Sequence, residues 1–387
     1  MQLPLRCFPS ERSHIYQRKF GKTGLNLSLL TFGAMQLPDV TEEQAVSTVN
    51  RAYEIGINHF ETARGYANSE EILGRALKVF DRTKFFLTTK ITPKHYQNYR
   101  KYIEESLTRL QIDYLDNFDI HGINNDEQLN YTLMKGGVLE TVRQAMSEGL
   151  IRHLGFSSHG PLEIIIKTME TGEFESVNLH YYYVNQRNLP AIKLAGELDM
   201  GVLIISPTDK GGQLHKSPEY LIRLTSPYHP ITINNRFCLS HPEVTTVTVG
   251  AAHPDEFDPH LKAVDHTGAL TPAEQKIIKR LDEQYLKLGS TLCTLCHKCL
   301  PCPEQINIPE VLRLRNLAIA FDMVDFGKYR YRMFENADHW FWGRKASYCT
   351  RCNDCLPRCP EQLKIPELLD EAHKTFSASE GKRKWKD

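Results

Sequence analysis

Lys84-Phe85-Phe86-Leu87-Thr88-Thr89-Lys90, the stretch Tyr99–Leu110, and Asp116-Asn117-Phe118-Asp119-Ile120-His121 follow one another as strand, helix and strand. The two outer runs are short and β-rich, and the stretch between them is amphipathic at helical spacing. Two strands joined through a helix lie parallel in one sheet. Working outward, the same alternation recurs. Further β-rich runs are Leu27–Met35, Ile57–Glu61, Ile151–Ser157, Ser176–Leu179, Gly201–Ser206 and Thr245–Gly250. Helical patterns fall between them at Glu42–Ile55, Ser69–Val79 and Val138–Glu148. Eight strands, each followed by helix, over about 240 residues match the size of an α/β fold of the (β/α)8 TIM-barrel type. A doubly wound dinucleotide fold would place a Gly-x-Gly-x-x-Gly turn after its first strand, and none occurs.

Barrel chemistry sits at the carboxyl ends of the strands. Those ends carry Glu61, Lys90, His121, Ser157 and Ser158, Asn178, Ser206, and Gly250 followed by Ala251. Singly, a lysine is ordinarily a surface charge and a histidine a satisfied core group. An acid, a lysine and a histidine at three neighbouring strand ends, with Tyr66 just after the acid, favour catalysis.

The 387 residues exceed one ordinary core, so two domains are expected. Lys+Arg and Asp+Glu both number 47, leaving no net field to recruit nucleic acid or an acidic membrane. No apolar run approaches the ~20 residues of a bilayer span. Met1–Ser13 has no apolar signal core, and Lys382-Arg383-Lys384 reads as a solvated tail. The expectation is a cytoplasmic protein, where clustered cysteines mean metal more often than disulfide.

Two such clusters close the chain: Cys293-x2-Cys296-x2-Cys299-x2-Cys302-Pro303 and Cys349-x2-Cys352-x2-Cys355-x3-Cys359-Pro360. Paired zinc knuckles also use four thiolates, but rarely place a third and fourth at the same step. Three successive steps closed by Cys-Pro are the ligand set of iron–sulfur cubanes, the last cysteine crossing to the other cluster. Two 4Fe–4S clusters are therefore expected, one on Cys293, Cys296, Cys299 and Cys359, the other on Cys349, Cys352, Cys355 and Cys302. The runs are also an internal repeat, Cys302–Leu312 echoing Cys359–Leu369. Pro309 and Pro366 sit where proline opens a helix, and the stretch from Val311 reads as helix. The first run departs from the pattern by ending on two intervening residues, not three. The unit resembles an α-helical ferredoxin module. Cys7 and Cys238 stand alone and read as structural.

The barrel residues lie in motifs that resemble the aldo-keto reductase superfamily. Tyr16–Ser28 with Phe32-Gly33-Ala34-Met35 is similar to its entry segment, and Asn58–Tyr66 with Ser69-Glu70 to its acid–tyrosine segment. Thr88-Thr89-Lys90 and Asp113–His121 resemble the lysine and histidine segments. Gly155–Ser158 resembles the turn after strand five, and Ser206-Pro207 with Gly211-Gly212 the loop after strand seven. With the cysteine tail, the chain resembles members carrying a C-terminal 4Fe–4S domain: barrel 16–270, linker helix 271–290, α-helical ferredoxin domain 291–375.

The resemblance implies the catalytic tetrad Glu61, Tyr66, Lys90 and His121. A phenol with pKa near ~10 can protonate a carbonyl oxygen, a neighbouring ammonium lowers that pKa, and a carboxylate keeps the ammonium charged. His121 would orient the carbonyl by a hydrogen bond. The family usually has aspartate where Glu61 stands, so the reach to Lys90 grows by one methylene. The implied cofactor is NAD(P), touching Ser157, Ser158, Asn178, Ser206, Gly250 and Ala251. Glu256 stands where an arginine is common, which favours NAD over NADP, with His253 and His260 as partial compensation. The implied substrates are small aldehydes or ketones.

Nicotinamide delivers two electrons as hydride, whereas a cubane passes one. Three readings follow: a carbonyl reductase with an accessory ferredoxin domain, clusters feeding a barrel-bound acceptor through a flavin, or a relay or sensor with a non-catalytic barrel. In the first, that domain is structural, redox-sensing or a docking site, and a redox partner protein is a further expectation. The pocket is built by loops such as Ile123–Lys135 and Asp209–Ser217, whose shape the sequence does not give. Tyr182-Tyr183-Val184 reads as ordinary core or as a domain interface.

Overall fold

The computed structural model describes residues 15–94 and 98–377. Cys7, the Met1–Ser13 segment and Lys382-Arg383-Lys384 lie outside the described residues. An antiparallel pair, β1 (Gln17–Lys19) and β2 (Asn26–Ser28), precedes eight parallel strands that close into a barrel. These are β3 (Leu30–Gly33), β4 (His59–Glu61), β5 (Phe86–Ile91), β6 (Leu115–Ile120), β7 (Ile151–Ser157), β8 (Ser176–Leu179), β9 (Gly201–Ile204) and β10 (Thr246–Val249). β10 pairs with both β9 and β3, which completes the ring. Mostly buried on both faces, the strands do not alternate, and they enclose charged side chains such as Glu61, Lys90 and Asp119.

The expected run Leu27–Met35 is divided. Leu27 and Ser28 pair with β1, Leu29 N–H donates to Tyr16 O at 2.9 Å, and the barrel strand starts at Leu30. Met35 belongs to a 3-10 turn, Ala34–Asp39. The β1–β2 hairpin underlies the barrel at its amino end, where Gly21 bridges Met200 and Phe20 lies against Gly201. Gly21 adopts φ +53°, and a Cβ there would meet Gly201 N at 2.3 Å, so only glycine allows this approach.

The helices are α1 (Glu42–Glu54), α2 (Ser69–Leu77), α3 (Tyr99–Leu110), α4 (Asp126–Leu133), α5 (Val138–Ser147), α6 (Leu162–Glu170), α7 (Leu189–Glu197), α8 (Glu219–Thr225), α9 (Pro230–Leu239) and α10 (Asp258–Leu261). The segment 123–135, expected as loop, thus contains α4. Asn125 caps it by accepting the Gln128 N–H.

Beyond the barrel come α11 (Pro272–Leu286), α12 (Ile308–Phe321), α13 (Val324–Tyr331) and α14 (Ile365–Phe376). Thr271 and Glu274 form a capping box on α11. Glu274 also pairs with Arg236 of α9 at 2.8 Å, both side chains almost fully buried, so the pair ties α11 to the barrel. Pro309 and Pro366 open α12 and α14. α12 is buried along most of its length among α13, α14 and the barrel. Tyr183 donates to Asp282 at 2.8 Å and packs against Tyr285 and Phe321, while Arg313 donates to Val184 O. The Tyr182–Val184 run therefore lines the junction of barrel and C-terminal segment. Cys238 is buried, its thiol against Tyr181 O.

Candidate active site

Parallel register brings the strand-end residues together. Gly33 pairs with Glu61, Glu61 with Thr88, and Lys90 with Asp119. The Lys90 ammonium, 2% exposed, lies 2.5 Å from Glu61 Oε2 and donates to Thr62 O at 2.9 Å. The extra methylene of Glu61 is accommodated beside Gly33, where a Cβ would meet Thr248 Cγ2 at 2.5 Å and Glu61 Oε1 at 3.5 Å. Tyr66 turns its ring toward Lys90 Nζ, 5.7 Å from the centroid, and meets the His121 ring edge-on at 5.6 Å. All four residues implied as the tetrad are thus gathered at one mouth of the barrel.

Their electrostatics follow from burial. Desolvation alone would lower Lys90, but Glu61, Tyr66 and Asp119 outweigh it and hold the ammonium above its ordinary range. Burial raises Tyr66. Lys90 pulls it down, as expected, but desolvation, Glu61 and Asp119 together win, so the phenol stays protonated. His121 is held well below the imidazole range by burial, with Lys90 and Lys210 adding to the effect, and is neutral at pH 7. Asp119 went unremarked in the sequence. It is fully buried, accepts amide N–H bonds from Asn117 (2.8 Å) and Asn178 (2.7 Å), and is pushed up to about 6 by burial against the pull of Lys90.

The residues expected around a nicotinamide are less uniform. Asn178 spends its amide N–H on Asp119. Ser158 donates to Ile123 O at 2.6 Å and accepts from Gly160 N, so its hydroxyl is turned inward. Ser157 Oγ accepts the Gly122 N–H at 3.0 Å. Ser206 takes a left-handed φ of +51° just beyond β9. Gly250 borders open space, a Cβ there meeting only Gln36 at 3.9 Å, while Ala251 is buried. Glu256 does more than face solvent: it accepts from Ala252 N (2.7 Å) and His253 N (3.4 Å), closing the turn after β10. His260, expected as a compensating surface group, is instead buried against Asn235 Nδ2 at 2.8 Å, so compensation from it is withdrawn.

The mouth is covered from an unexpected direction. Trp340 stands edge-on to His121 at 5.2 Å and to His159 at 4.7 Å. It also fills the space where a Cβ on Gly122 would lie, 2.6 Å from the indole. Neither Trp340 nor His159 carried a local signal in the sequence.

The two thiol runs adopt one backbone twice. Leu295 and Arg351, His297 and Asn353, and Gln305 and Gln362 are left-handed at equivalent positions, with φ of +57 and +56°, +62 and +65°, and +58 and +51°. Side chains rarely tolerate this conformation, so six such residues mark a constrained backbone. Leu295 N–H reaches the Cys293 thiol. Burial, with Cys296 and Cys359 adding, raises Cys293 to about 11, and burial raises Cys355 to about 11 with Cys349, Cys352 and Cys302 adding. Cys359 thus lies in electrostatic range of Cys293, and Cys302 in range of Cys355. Cys302, Cys349, Cys352 and Cys355 edge one cavity, with Ile306, Ile308 and Leu369 beneath. Among the described residues, no three His, Cys, Asp or Glu side chains are grouped so as to hold a single metal ion. No described helix is long and apolar enough to cross a membrane.

The sequence profile of the Aldo/keto reductase family matches residues 29–219. L-galactose dehydrogenase of Arabidopsis thaliana is 30% identical over 224 residues, covering 52% of this chain and 68% of that protein. The uncharacterized oxidoreductase YqkF of Bacillus subtilis (strain 168) is 25% identical over 306 residues, covering 69% of this chain and 97% of that one. Among solved structures, the holo form of aldo-keto reductase AKR11C1 from Bacillus halodurans superposes with a TM-score of 0.60 at 26% identity, covering 69% of this chain and 96% of that chain. Eight parallel strands, the strand-end gathering and these similarities lead to one assignment: the chain is an oxidoreductase and belongs to the aldo/keto reductase family.

Proposed function

We propose that the barrel reduces an aldehyde or ketone with NAD(P)H, and that the C-terminal segment holds two 4Fe–4S clusters. The observation that carries the first part is the buried ammonium of Lys90, held between Glu61 and Asp119 beside a protonated Tyr66. Bound NAD(P)H supplies hydride to the carbonyl carbon. Tyr66 gives its proton to the carbonyl oxygen, and Lys90 steadies the phenolate left behind. Neutral His121 donates a hydrogen bond to that oxygen. Ser157, Ser206, Gly250 and Ala251 form the rim that would hold the cofactor, with open space beside Gly250. Asn178 and Ser158 act from behind by fixing Asp119 and the turn after β7.

The clusters rest on the crossed grouping of thiols and the repeated left-handed backbone, a form that turns N–H groups onto anionic centres in many iron–sulfur sites. Cys293, Cys296, Cys299 and Cys359 hold one, Cys349, Cys352, Cys355 and Cys302 the other. Bound there, they supply single-electron transfer, and a redox partner protein is their natural counterpart. The domains are then 16–270, the linker helix within 271–290, and 291–375.

Two measurements on anaerobically purified protein test this. Tyr66→Phe should lower NAD(P)H-dependent carbonyl reduction by about 10²–10⁴-fold, the worth of a positioned acid. Cys296→Ser and Cys352→Ser should each lower bound iron and sulfide. Full turnover in the first variant, or unchanged iron in both others, refutes the corresponding half.

A further inference from the structure

A second constellation lies at the barrel mouth, on the far side of Trp340 from the tetrad. It lines a cavity that is partly open to solvent. Arg187 and Lys210 reach it from barrel loops, and Arg313 and Arg330 from α12 and α13. Only one carboxylate, Glu310, is in the lining, and Arg313 occupies both its oxygens at 2.6 and 2.9 Å. Asp209, the next acid in electrostatic range, accepts from Tyr329 at 3.2 Å.

The remaining cations have no ion-pair partner among the described residues. Arg330, 7% exposed, lies over the Phe341 ring at 4.1 Å and donates toward the Met333 sulfur, and its Nε is buried without a hydrogen bond. Arg187 spends one nitrogen on His159 O and Gly160 O, each at 3.2 Å, and its Nε is likewise buried and unbonded. Among the described residues the Lys210 ammonium has one hydrogen-bond partner, the neutral His159 ring at 3.2 Å. Burial lowers both arginines and draws Lys210 down to about 7, the direction expected of cations lacking a counter-charge. Isolated buried charge costs several kcal/mol, so such a set is tolerated where a ligand completes it.

We propose that this cavity binds the carboxylate or phosphate of an anionic ligand, and that the carbonyl substrate carries that group. Planar guanidinium forks suit both oxyanions, through paired N–H donors. The link to the carbonyl rests on the tetrad reading above, because Trp340, in the cavity lining, also stands against His121. The anion site itself does not depend on that reading.

The test is calorimetric binding to the full-length protein of pyruvate, inorganic phosphate, neutral acetone and NADH. Variants are Arg330→Met, Lys210→Met and Tyr66→Phe. Saturable binding of pyruvate or phosphate, at least tenfold weaker in Arg330→Met and Lys210→Met, with the phosphate affinity unchanged in Tyr66→Phe, is the expected result. Because the cations are uncompensated, ligand-free Arg330→Met should melt no lower than the parent. Should that variant misfold, Lys210→Met carries the comparison alone. Weakening of NADH alone would assign the anion to the nucleotide diphosphate and overturn the substrate assignment. Equal binding in parent and both cation variants, or no saturable anion binding, overturns the site. Since binding is read without turnover, an inactive tetrad leaves the outcome interpretable.

Discussion

Lys90→Met removes the cation placed between Glu61 and Asp119, and the consequence depends on pH in a calculable way. Lys90 is held above its ordinary 10.5, so its contribution to stability persists at all lower pH and is lost only as pH rises beyond that value. Without it, two buried carboxylates face each other. Breaking a buried pair costs about 3–5 kcal/mol when the remaining charge stays ionised. Asp119, already raised from 3.8 to about 6 in spite of Lys90, would rise further and take up a proton. A carboxyl raised in the folded state binds its proton more tightly there than when unfolded. Stability therefore falls as pH climbs from the unfolded value through the folded one, at up to ~1.4 kcal/mol per unit for one proton. In the parent that decline ends near pH 6, and in the variant it continues past neutrality. The difference between the two should thus be close to ~4 kcal/mol at pH 8 and shrink by roughly half or more at pH 6. Urea unfolding of both proteins at pH 6, 7 and 8, with the slopes compared for two-state behaviour, measures it. A difference below ~1 kcal/mol at every pH, or one that grows on acidification, would refute the reasoning.

Two further outcomes follow. Glu274→Ala strands Arg236, whose guanidinium is fully buried, and should cost about 3–5 kcal/mol, seen as a lower denaturant midpoint; a loss under ~1 kcal/mol would mean the α11 anchor is dispensable. NADH should outperform NADPH in side-by-side kinetics, because Glu256 presents a carboxylate in the turn after β10 where a 2′-phosphate would be repelled; a clear NADPH preference overturns that.

The strand phases were legible because the barrel strands are short β-rich runs with functional side chains at or just past their carboxyl ends, and a ring of parallel strands makes those ends converge. Lys90, His121 and Glu61 were found for that reason. Asp119 shared the same logic, two residues before His121 on one strand and in register with Lys90, yet an acid inside a buried strand reads as an exception until its partner is seen. The boundary at Leu29 was hidden because pairing partners change there while the hydrophobic pattern continues. The two cysteine runs were visible because each spacing is local in the chain, whereas the pairing of one run with the other is long-range. Trp340, Arg330 and Arg187 were out of reach: the docking of α12 and α13 on the barrel is long-range, and no periodicity announces it.

The segment that closes the mouth has a consequence for how the molecule must respond as a whole. α12 leaves the Cys302 run and supplies Glu310 and Arg313, and the chain goes on through Arg330 and Trp340 to Cys349. One continuous span thus forms a wall of the barrel's cavity and carries both sets of thiols. If the span shifts when either site fills, the two sites are coupled, and such coupling is reciprocal. Occupation of the cavity should tighten the hold on whatever the thiols bind, and emptying the thiol sites should weaken the cavity's affinity by the same factor.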